Sequence, residues 1–206
     1  QKMSKSLGNQ YTLSDVVARG HRPSAVRYLL LSSHYRKPLN FTWASLQQAE
    51  EALRRLTDFL TRLDLIRGGE GHQAIADRMG EARQSFAGML NDDLNTAGSL
   101  GVMFELVRAL NAAIDAGEAG EPDVAGIRQA FAEFDRVLGV MALRRDEDAR
   151  PPVPADEIEA LIGERQAARR RRDFAAADRI RDELASRGVI LEDGPADLRE
   201  EVARHA

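Results

Sequence analysis

Residues 42–63, with the sequence TWASLQQAEEALRRLTDFLTRL, decide the fold class of this chain. The apolar residues of this stretch recur three or four positions apart, which places them on one side of an α-helix. That stripe consists of Leu46, Ala49, Leu53, Leu56, Leu60 and Leu63. Thr42 stands just before the run and can cap the helix with its hydroxyl. The stretch therefore predicts a long amphipathic helix with one buried side.

The same periodicity recurs in three later segments, which begin near Ile75, Leu100 and Val124. Glycines and polar clusters separate the segments, and Asn95 or Thr96 can cap the third long helix. Before residue 42, a short helix near Leu13 and a second helix that opens at Pro23 and continues toward Pro38 are expected. We predict a mostly α fold built around an antiparallel bundle of about four long helices.

The apolar pattern is lost over residues 144–155, RRDEDARPPVPA, where three prolines favour a stiff, solvated connection. Two further helices and a short strand at Val189–Leu191 are expected after it, and the tail from residue 196 reads as helix-like. The predicted domains are 1–41 (a loop and connecting region), 42–143 (the bundle), 144–155 (the linker) and 156–206 (a small mixed unit).

Composition excludes several classes of site. The chain has 206 residues, a formal net charge of −4 and no cysteine, so it has no disulfides and no thiolate metal ligands. Its four histidines lie far apart in sequence, and we expect no metal site. No uncharged apolar run approaches the length of a bilayer span, so no membrane partner is expected and the cytoplasm is the default location. The first residue is Gln1 and no leader-like pattern follows, so we read the chain as a fragment.

The first residues carry the clearest chemistry. Residues 2–9 read KMSKSLGN, and two lysines with two serines beside Gly8 can surround a polyphosphate with cations and hydroxyl donors. By composition alone, a solvated basic terminus explains the same residues.

A second cationic cluster lies near the other end of the chain. Arg165 and the run Arg169, Arg170, Arg171 and Arg172 can pair with phosphates, and Phe174 can offer a platform for an unstacked base. An arginine run is also typical of a solvated helix face, and Phe174 is spaced with Ala177 and Leu184 as a core residue would be. The residues alone leave both interpretations open.

The acidic cluster NDDLNT at residues 91–96 is interpreted as a helix boundary and not as a catalytic or metal site. Asp92 and Asp93 are adjacent and do not easily share one face, whereas Asn95 or Thr96 suits a cap.

Several of these motifs together resemble one family. KMSKSLGN is similar to the KMSKS signature of class I aminoacyl-tRNA synthetases. YRKPLNFT at residues 35–42, NDDLNT at 91–96, and segments 158–182 and 188–195 resemble cysteinyl-tRNA synthetases. The resemblance runs from the KMSKS loop nearly to the C-terminal end of the chain.

This resemblance implies a set of roles. The loop residues Lys2, Met3, Ser4, Lys5 and Ser6 would close over ATP, and Lys5 would stabilise the triphosphate charge as the adenylate forms. The helical region would bind tRNA-Cys, with the arginine cluster and Phe174 at the anticodon end.

The resemblance also implies what this chain needs from elsewhere. The family's HIGH-type motif, its zinc ligands and its cysteine pocket belong to a catalytic domain before the KMSKS loop. We therefore expect zinc in the intact enzyme, no zinc ligands in this chain, and no adenylate formation by this chain alone. The tail at residues 196–206 departs from the family's Gly-Thr-x-Trp ending, which weakens residue-level statements about anticodon reading.

Two other functions remain open at this stage. The related cysteine ligase of mycothiol synthesis shares the loop and the bundle, but an anticodon-like extension has no role in its reaction. A stand-alone helical module that binds RNA or protein is the alternative from a different class.

Overall fold

The computed structural model describes residue 4 and residues 10–149, 155–187, 189–191 and 203–205. Nearly all regular structure in these residues is helical. Its elements are α1 (Leu13–Val17), α2 (Pro23–Leu31), α3 (Trp43–Leu63), α4 (Gln73–Asn91), α5 (Thr96–Asp115), α6 (Glu121–Leu138), α7 (Val140–Asp148), α8 (Ala155–Arg170), α9 (Phe174–Ser186), β1 (Val189–Leu191) and β2 (Ala203–His205). The mostly α fold class is thus confirmed.

The chain divides into two compact units. One comprises Ser24–Arg144, and the other comprises Gln1–Pro23 together with Arg145–Ala206. The first contains the four long helices α3 to α6, and we call it the bundle unit. The second contains the α8–α9 pair, and we call it the terminal unit.

Aromatic rings join the helices of the bundle unit. Phe131 of α6 packs on Phe59 of α3, with ring centroids 5.1 Å apart, and Phe134 stacks on Phe86 of α4 at 4.4 Å. All four rings are buried. Phe59 occupies the place that the sequence pattern assigned to Leu60, which is only partly buried. The predicted stripe was therefore wrong at Leu60 alone, and its other members, including Leu63, are buried.

Two helix starts follow the sequence closely. Thr42 accepts a hydrogen bond from the Ser45 N–H at 3.0 Å, and Asn95 accepts one from the Gly98 N–H at 2.8 Å. These side chains satisfy backbone donors that an α-helix leaves unpaired at its N-terminus. Both predicted caps are confirmed.

The end of the bundle differs from the prediction. The bundle was predicted to run to residue 143, but its last long helix, α6, ends at Leu138 because Gly139 adopts a left-handed conformation with φ +61°. The buried Asp135 carboxylate then accepts hydrogen bonds from the Val140, Met141 and Ala142 N–H groups at 2.6–2.8 Å. A second helix therefore begins at once and runs to Asp148, through residues that were predicted to be part of an extended linker.

Helix α2 is also shorter than expected. It ends at Leu31, seven residues before Pro38, and turns and bends follow it. Ser32 donates its hydroxyl hydrogen to the Leu29 carbonyl at 2.8 Å, a local bond that competes with continued helix.

The terminal unit has a small core of its own. Ile158, Leu184 and Val189 are buried together, and Leu161, Ile162, Ile180 and Leu191 pack against them. β1 forms as predicted and pairs with β2 in an antiparallel arrangement, Val189 opposite His205. Residues 203–205 are thus a strand, and the helix-like interpretation of that part of the tail was wrong.

One helix of the described part of the chain, α5, is long and apolar enough to cross a membrane by length and composition. Because it carries Glu105 and Arg108, it is not an uncharged apolar run and was not predicted from the sequence as a membrane span. In this fold, Leu100, Met103 and Leu110 of α5 are buried in the bundle unit.

Candidate functional sites

Most of the KMSKS motif lies outside the described residues. This holds for Lys2, Met3, Lys5 and Ser6. Ser4 is described; it is partly buried and interacts with other groups of the chain. The role of this loop accordingly stays a prediction.

The arginine run forms the turn between α8 and α9. Helix α8 ends at Arg170, and Arg172 adopts a left-handed conformation with φ +61° that reverses the chain. The Arg172 N–H donates to the Arg169 carbonyl at 3.0 Å, and the Asp173 N–H donates to the Ala168 carbonyl at 2.9 Å. These backbone bonds fix the turn that carries the cationic side chains.

Three arginines of this turn have no carboxylate partner among the described residues. Arg170, Arg171 and Arg172 are exposed, and none of them forms an ion pair within the part of the chain that the structure describes. Acidic groups of the two helices that do form ion pairs bind other arginines: Arg181 lies 3.4 Å from Asp178, and Arg187 lies 2.8 Å from Glu157. Three guanidinium groups therefore remain available for an external anion.

Glu157 shows what such a pairing does to a carboxylate in this unit. The hydrogen bond from Arg187 holds the pKa of Glu157 below its ordinary value. Arg187 thus joins the end of α9 to the start of α8, whereas Arg170, Arg171 and Arg172 form no ion pair with a described residue.

Phe174 lies beside this turn as the first residue of α9. Asp173 caps the helix by accepting a hydrogen bond from the Ala176 N–H at 3.0 Å. The Phe174 side chain is 61% exposed, whereas Ala177 and Leu184 of the same helix are buried. The structure thus places Phe174 on the surface and not in the core, next to uncompensated cations.

Arg165 differs from the other predicted contacts. Its side chain is only 5% exposed, and it interacts with other groups of the chain. A buried guanidinium that already has interactions within the protein cannot reach a phosphate in solvent without leaving them. We remove Arg165 from the set of predicted RNA contacts and regard it as structural.

A second cluster joins two motifs that the sequence treated separately. Asp93 of the NDDLNT segment accepts a hydrogen bond from the Tyr35 hydroxyl at 2.6 Å. It also accepts two from Arg36, through Nε at 2.7 Å and Nη2 at 3.0 Å. His34 stacks on Tyr35 with ring centroids 5.0 Å apart. We call this group of four side chains the Asp93 clamp.

The electrostatics of the clamp follow from these bonds. The Arg36 guanidinium, helped by the Tyr35 hydroxyl, holds the pKa of Asp93 below its ordinary value. The same hydrogen bond to Asp93 raises the pKa of the Tyr35 hydroxyl. The carboxylate is thus the preferred state of Asp93 in the folded protein.

The backbone at the clamp is unusual. Asp93 and Leu94 are consecutive non-glycine residues in the left-handed region, with φ values of +53° and +52°. Such residues are uncommon and cost free energy, so the surrounding contacts must hold them. From the sequence, residues 91–96 were interpreted as a helix boundary, which accounts for the capping role of Asn95. The sequence pattern did not predict that Asp93 bonds to Tyr35 and Arg36. One sequence feature pointed to this contact: Tyr35-Arg36 and Asp92-Asp93 lie in two segments that both resemble cysteinyl-tRNA synthetases.

Among the described residues, no group of three or more His, Asp or Glu side chains is arranged to hold a metal ion.

Three family models match the chain in sequence order. Residues 1–51 match the catalytic domain of class I tRNA synthetases of the cysteinyl type, residues 85–142 match the DALR domain, and residues 152–199 match the cysteinyl-tRNA ligase anticodon-binding domain.

Curated relatives agree with this order. The chain is 46% identical over 205 residues to a cysteine–tRNA ligase of Solibacter usitatus, with 97% of this chain and 42% of that protein covered. It is 44% identical over 202 residues to the ligase of Alkalilimnicola ehrlichii, covering 95% and 41%. It is 38% identical over 218 residues to the ligase of Koribacter versatilis, covering 93% and 44%. The chain thus spans less than half the length of these relatives.

Proposed function

Because the chain belongs to the cysteinyl-tRNA synthetase family, matching the C-terminal part of its members, we propose that it is the tRNA-facing part of a cysteine–tRNA ligase. In this proposal the whole enzyme activates cysteine with ATP and transfers it to tRNA-Cys in the cytoplasm. The observation that carries the proposal is the match of residues 152–199 to an anticodon-binding domain, within which the exposed α8–α9 turn lies. The matches do not favour the mycothiol ligase or a stand-alone module.

The KMSKS loop supplies one edge of the ATP site in this proposal. Lys5 places a positive charge beside the triphosphate, where negative charge is redistributed as the α-phosphorus is attacked and pyrophosphate leaves. Lys2 adds a second cation, Ser4 and Ser6 add hydroxyl donors, and Met3 completes the loop. The adenine site, the cysteine pocket and the zinc ligands lie on a catalytic domain that acts as the partner of this chain.

The α8–α9 turn supplies the contact with the anticodon region. Arg170, Arg171 and Arg172 face solvent, and no carboxylate of the described residues pairs with them, so binding a phosphate breaks no ion pair within that part of the chain. Guanidinium groups bind phosphate oxygens in a bidentate manner and also stack on bases. Phe174 lies next in sequence with an exposed ring, on which an unstacked base can pack.

The Asp93 clamp has a supporting role. It ties the segment after α2 to the start of α5 through side-chain bonds of 2.6–3.0 Å. The first of these segments lies within residues 1–51, which match the catalytic-domain model, so the clamp would hold the end of that region against the bundle. Its bonds fix backbone geometry, and we assign it no chemical step.

Binding to tRNA tests the proposal. The chain is titrated with tRNA-Cys and with an unrelated tRNA over a salt series, beside a variant with Arg170, Arg171 and Arg172 replaced by alanine. We expect preference for tRNA-Cys, a steep loss of affinity with salt, and a smaller salt slope in the variant, because fewer counterions are displaced. Equal affinity for both tRNAs, unchanged in the variant, would contradict the assignment of the α8–α9 turn.

Two controls separate charge from geometry. Replacing the same three arginines by lysine keeps the positive charge but removes the planar fork, so partial recovery of affinity with lower selectivity is expected. Phe174→Leu keeps an apolar side chain but removes the ring. Because a base would stack on that ring, we expect the affinity for tRNA-Cys to fall about tenfold. The chain alone is expected to show no ATP–pyrophosphate exchange.

A further inference from the structure

The bundle unit contains a cleft that the α8–α9 turn and the Asp93 clamp leave unexplained. It has a volume of about 840 Å³ and lies between α2, α3 and α5. This volume falls in the range of clefts that hold small organic ligands. Its walls combine aromatic rings with arginines, and each of these groups suggests part of a ligand.

The apolar wall is built from rings held in fixed positions. Phe104 meets Tyr28 edge to face, with centroids 6.2 Å apart, and Phe59 is anchored by its contact with Phe131. Burial raises the pKa of the Tyr28 hydroxyl. Tyr28 and Phe104 are only partly buried, so each ring offers surface to a ligand. A flat aromatic group suits such a wall.

The acidic groups in the cleft are already bonded to arginines. Asp58 accepts a hydrogen bond from Arg54 at 2.8 Å. Asp115 binds Arg62, which also donates to Asn111 at 2.8 Å. These carboxylates are therefore largely neutralised by the protein itself.

Two other arginines of the cleft have no such partner. Arg55 and Arg108 are exposed, and neither forms an ion pair with any described residue. The Arg55 guanidinium lies 5.7 Å from the centroid of the Phe104 ring. The cleft thus presents available cations beside an aromatic wall, in a chain whose net charge is −4.

We propose that this cleft binds a nucleotide, with the base against Phe104 and Tyr28 and the phosphate on Arg55 and Arg108. The shared chemistry is a planar base that carries an anionic phosphate. That nucleotide can belong to RNA or can be free in solution. The RNA source rests on the proposed tRNA-binding function, whereas the free source does not.

The first experiment identifies the ligand chemistry. The full chain is titrated by NMR or calorimetry with AMP, adenosine and ribose 5-phosphate. We expect AMP to bind more tightly than either part, because only AMP engages both the rings and the arginines. Phe104→Leu should weaken AMP binding about tenfold, and Arg55→Ala with Arg108→Ala should weaken it further.

A matched variant controls for overall charge. Arg78→Ala with Arg136→Ala removes two positive charges from α4 and α6 of the same unit, at positions that do not line the cleft. We expect this control to bind AMP as the unaltered chain does. Thermal unfolding by circular dichroism is measured for every variant, so that only folded proteins are compared.

The tRNA arm identifies the source of the nucleotide. A loss of tRNA affinity of about tenfold in the Arg55 and Arg108 variant, absent from the control, supports an RNA nucleotide. Unchanged tRNA affinity with loss of AMP binding supports a free nucleotide. A cleft variant that binds both AMP and tRNA as the unaltered chain does, or a control that loses as much, overturns the proposal. If the unaltered chain fails to bind tRNA, the proposed function fails, and the AMP titration alone decides on the cleft.

Discussion

The arginines of the bundle unit and those of the α8–α9 turn differ in what surrounds them. In the bundle unit, Arg83 of α4 bonds to Glu133 of α6 at 2.6 Å, and Arg144 bonds to Glu50 of α3 at 2.7 Å. At the turn, Arg171 and Arg172 face solvent, and no described carboxylate pairs with them. The same residue type thus links helices at Arg83 and Arg144 of the bundle unit and lies exposed at the α8–α9 turn, where we propose that it binds RNA.

This difference shows why an arginine count does not identify a binding surface. In the bundle unit, arginines such as Arg83 and Arg144 form ion pairs with a carboxylate on a neighbouring helix. In each such pair the two charges neutralise each other within the protein. An arginine indicates a binding surface only where no carboxylate pairs with it. Among the described residues this holds for Arg171 and Arg172 of the α8–α9 turn and for Arg55 and Arg108 of the cleft.

The two cores offer the largest test of the comparison. Leu184 is fully buried in the small core of the terminal unit, and Leu110 is fully buried in the bundle unit. Truncation of a buried leucine costs about 2–5 kcal/mol, which a core of few side chains cannot absorb. In Leu184→Ala we expect amides of α8 and α9 to lose protection from hydrogen exchange while those of α3 to α6 keep it. In Leu110→Ala we expect the reverse, and equal loss in both units would contradict two separable cores.

The arginines themselves give the next effect. Arg144→Ala removes the guanidinium that bonds to the largely buried Glu50 carboxylate (16% exposed) and should lower the free energy of unfolding by about 3 kcal/mol. Arg171→Ala removes an exposed cation that no described carboxylate pairs with, and it should change the free energy of unfolding by less than about 0.5 kcal/mol. Chemical denaturation measures both. The double variant Arg144→Met with Glu50→Leu leaves no stranded charge and should recover much of the loss.

The smallest expected effect concerns the Asp93 clamp. Because Arg36 lowers the pKa of Asp93 below its ordinary value, the Asp93 carboxylate stabilises the folded state above that ordinary pKa, and this contribution is lost as the pH falls through the folded-state pKa. Asp93→Asn should therefore melt at a lower temperature near neutral pH, and the gap should close in acid. Asp92→Asn is the neighbouring control and should melt as the unaltered chain does. A gap that persists in acid would contradict an ionic role for Asp93.

Local signals in the sequence predicted much of the fold. Helix periodicity gave the four long helices, and Thr42 and Asn95 gave two caps, because these depend on neighbours a few residues away. The sequence did not give the break at Gly139, since Val140 and Met141 continue the apolar pattern and only the buried Asp135 reveals a new helix start. The strand at 203–205 was missed because its pairing with β1, across the intervening residues 192–202, is not encoded in a local residue pattern.

By itself, the sequence determined the helical class, the capping positions and the family to which the chain belongs. Each of these follows from residue spacing or from contiguous motifs. Only the tertiary structure decided that Arg165 is buried while Arg171 is exposed, that Phe174 lies outside the core, and that Asp93 binds Tyr35 and Arg36. The physical reason is that burial and pairing depend on which helices meet, and contacts between distant segments leave no periodic trace in the chain.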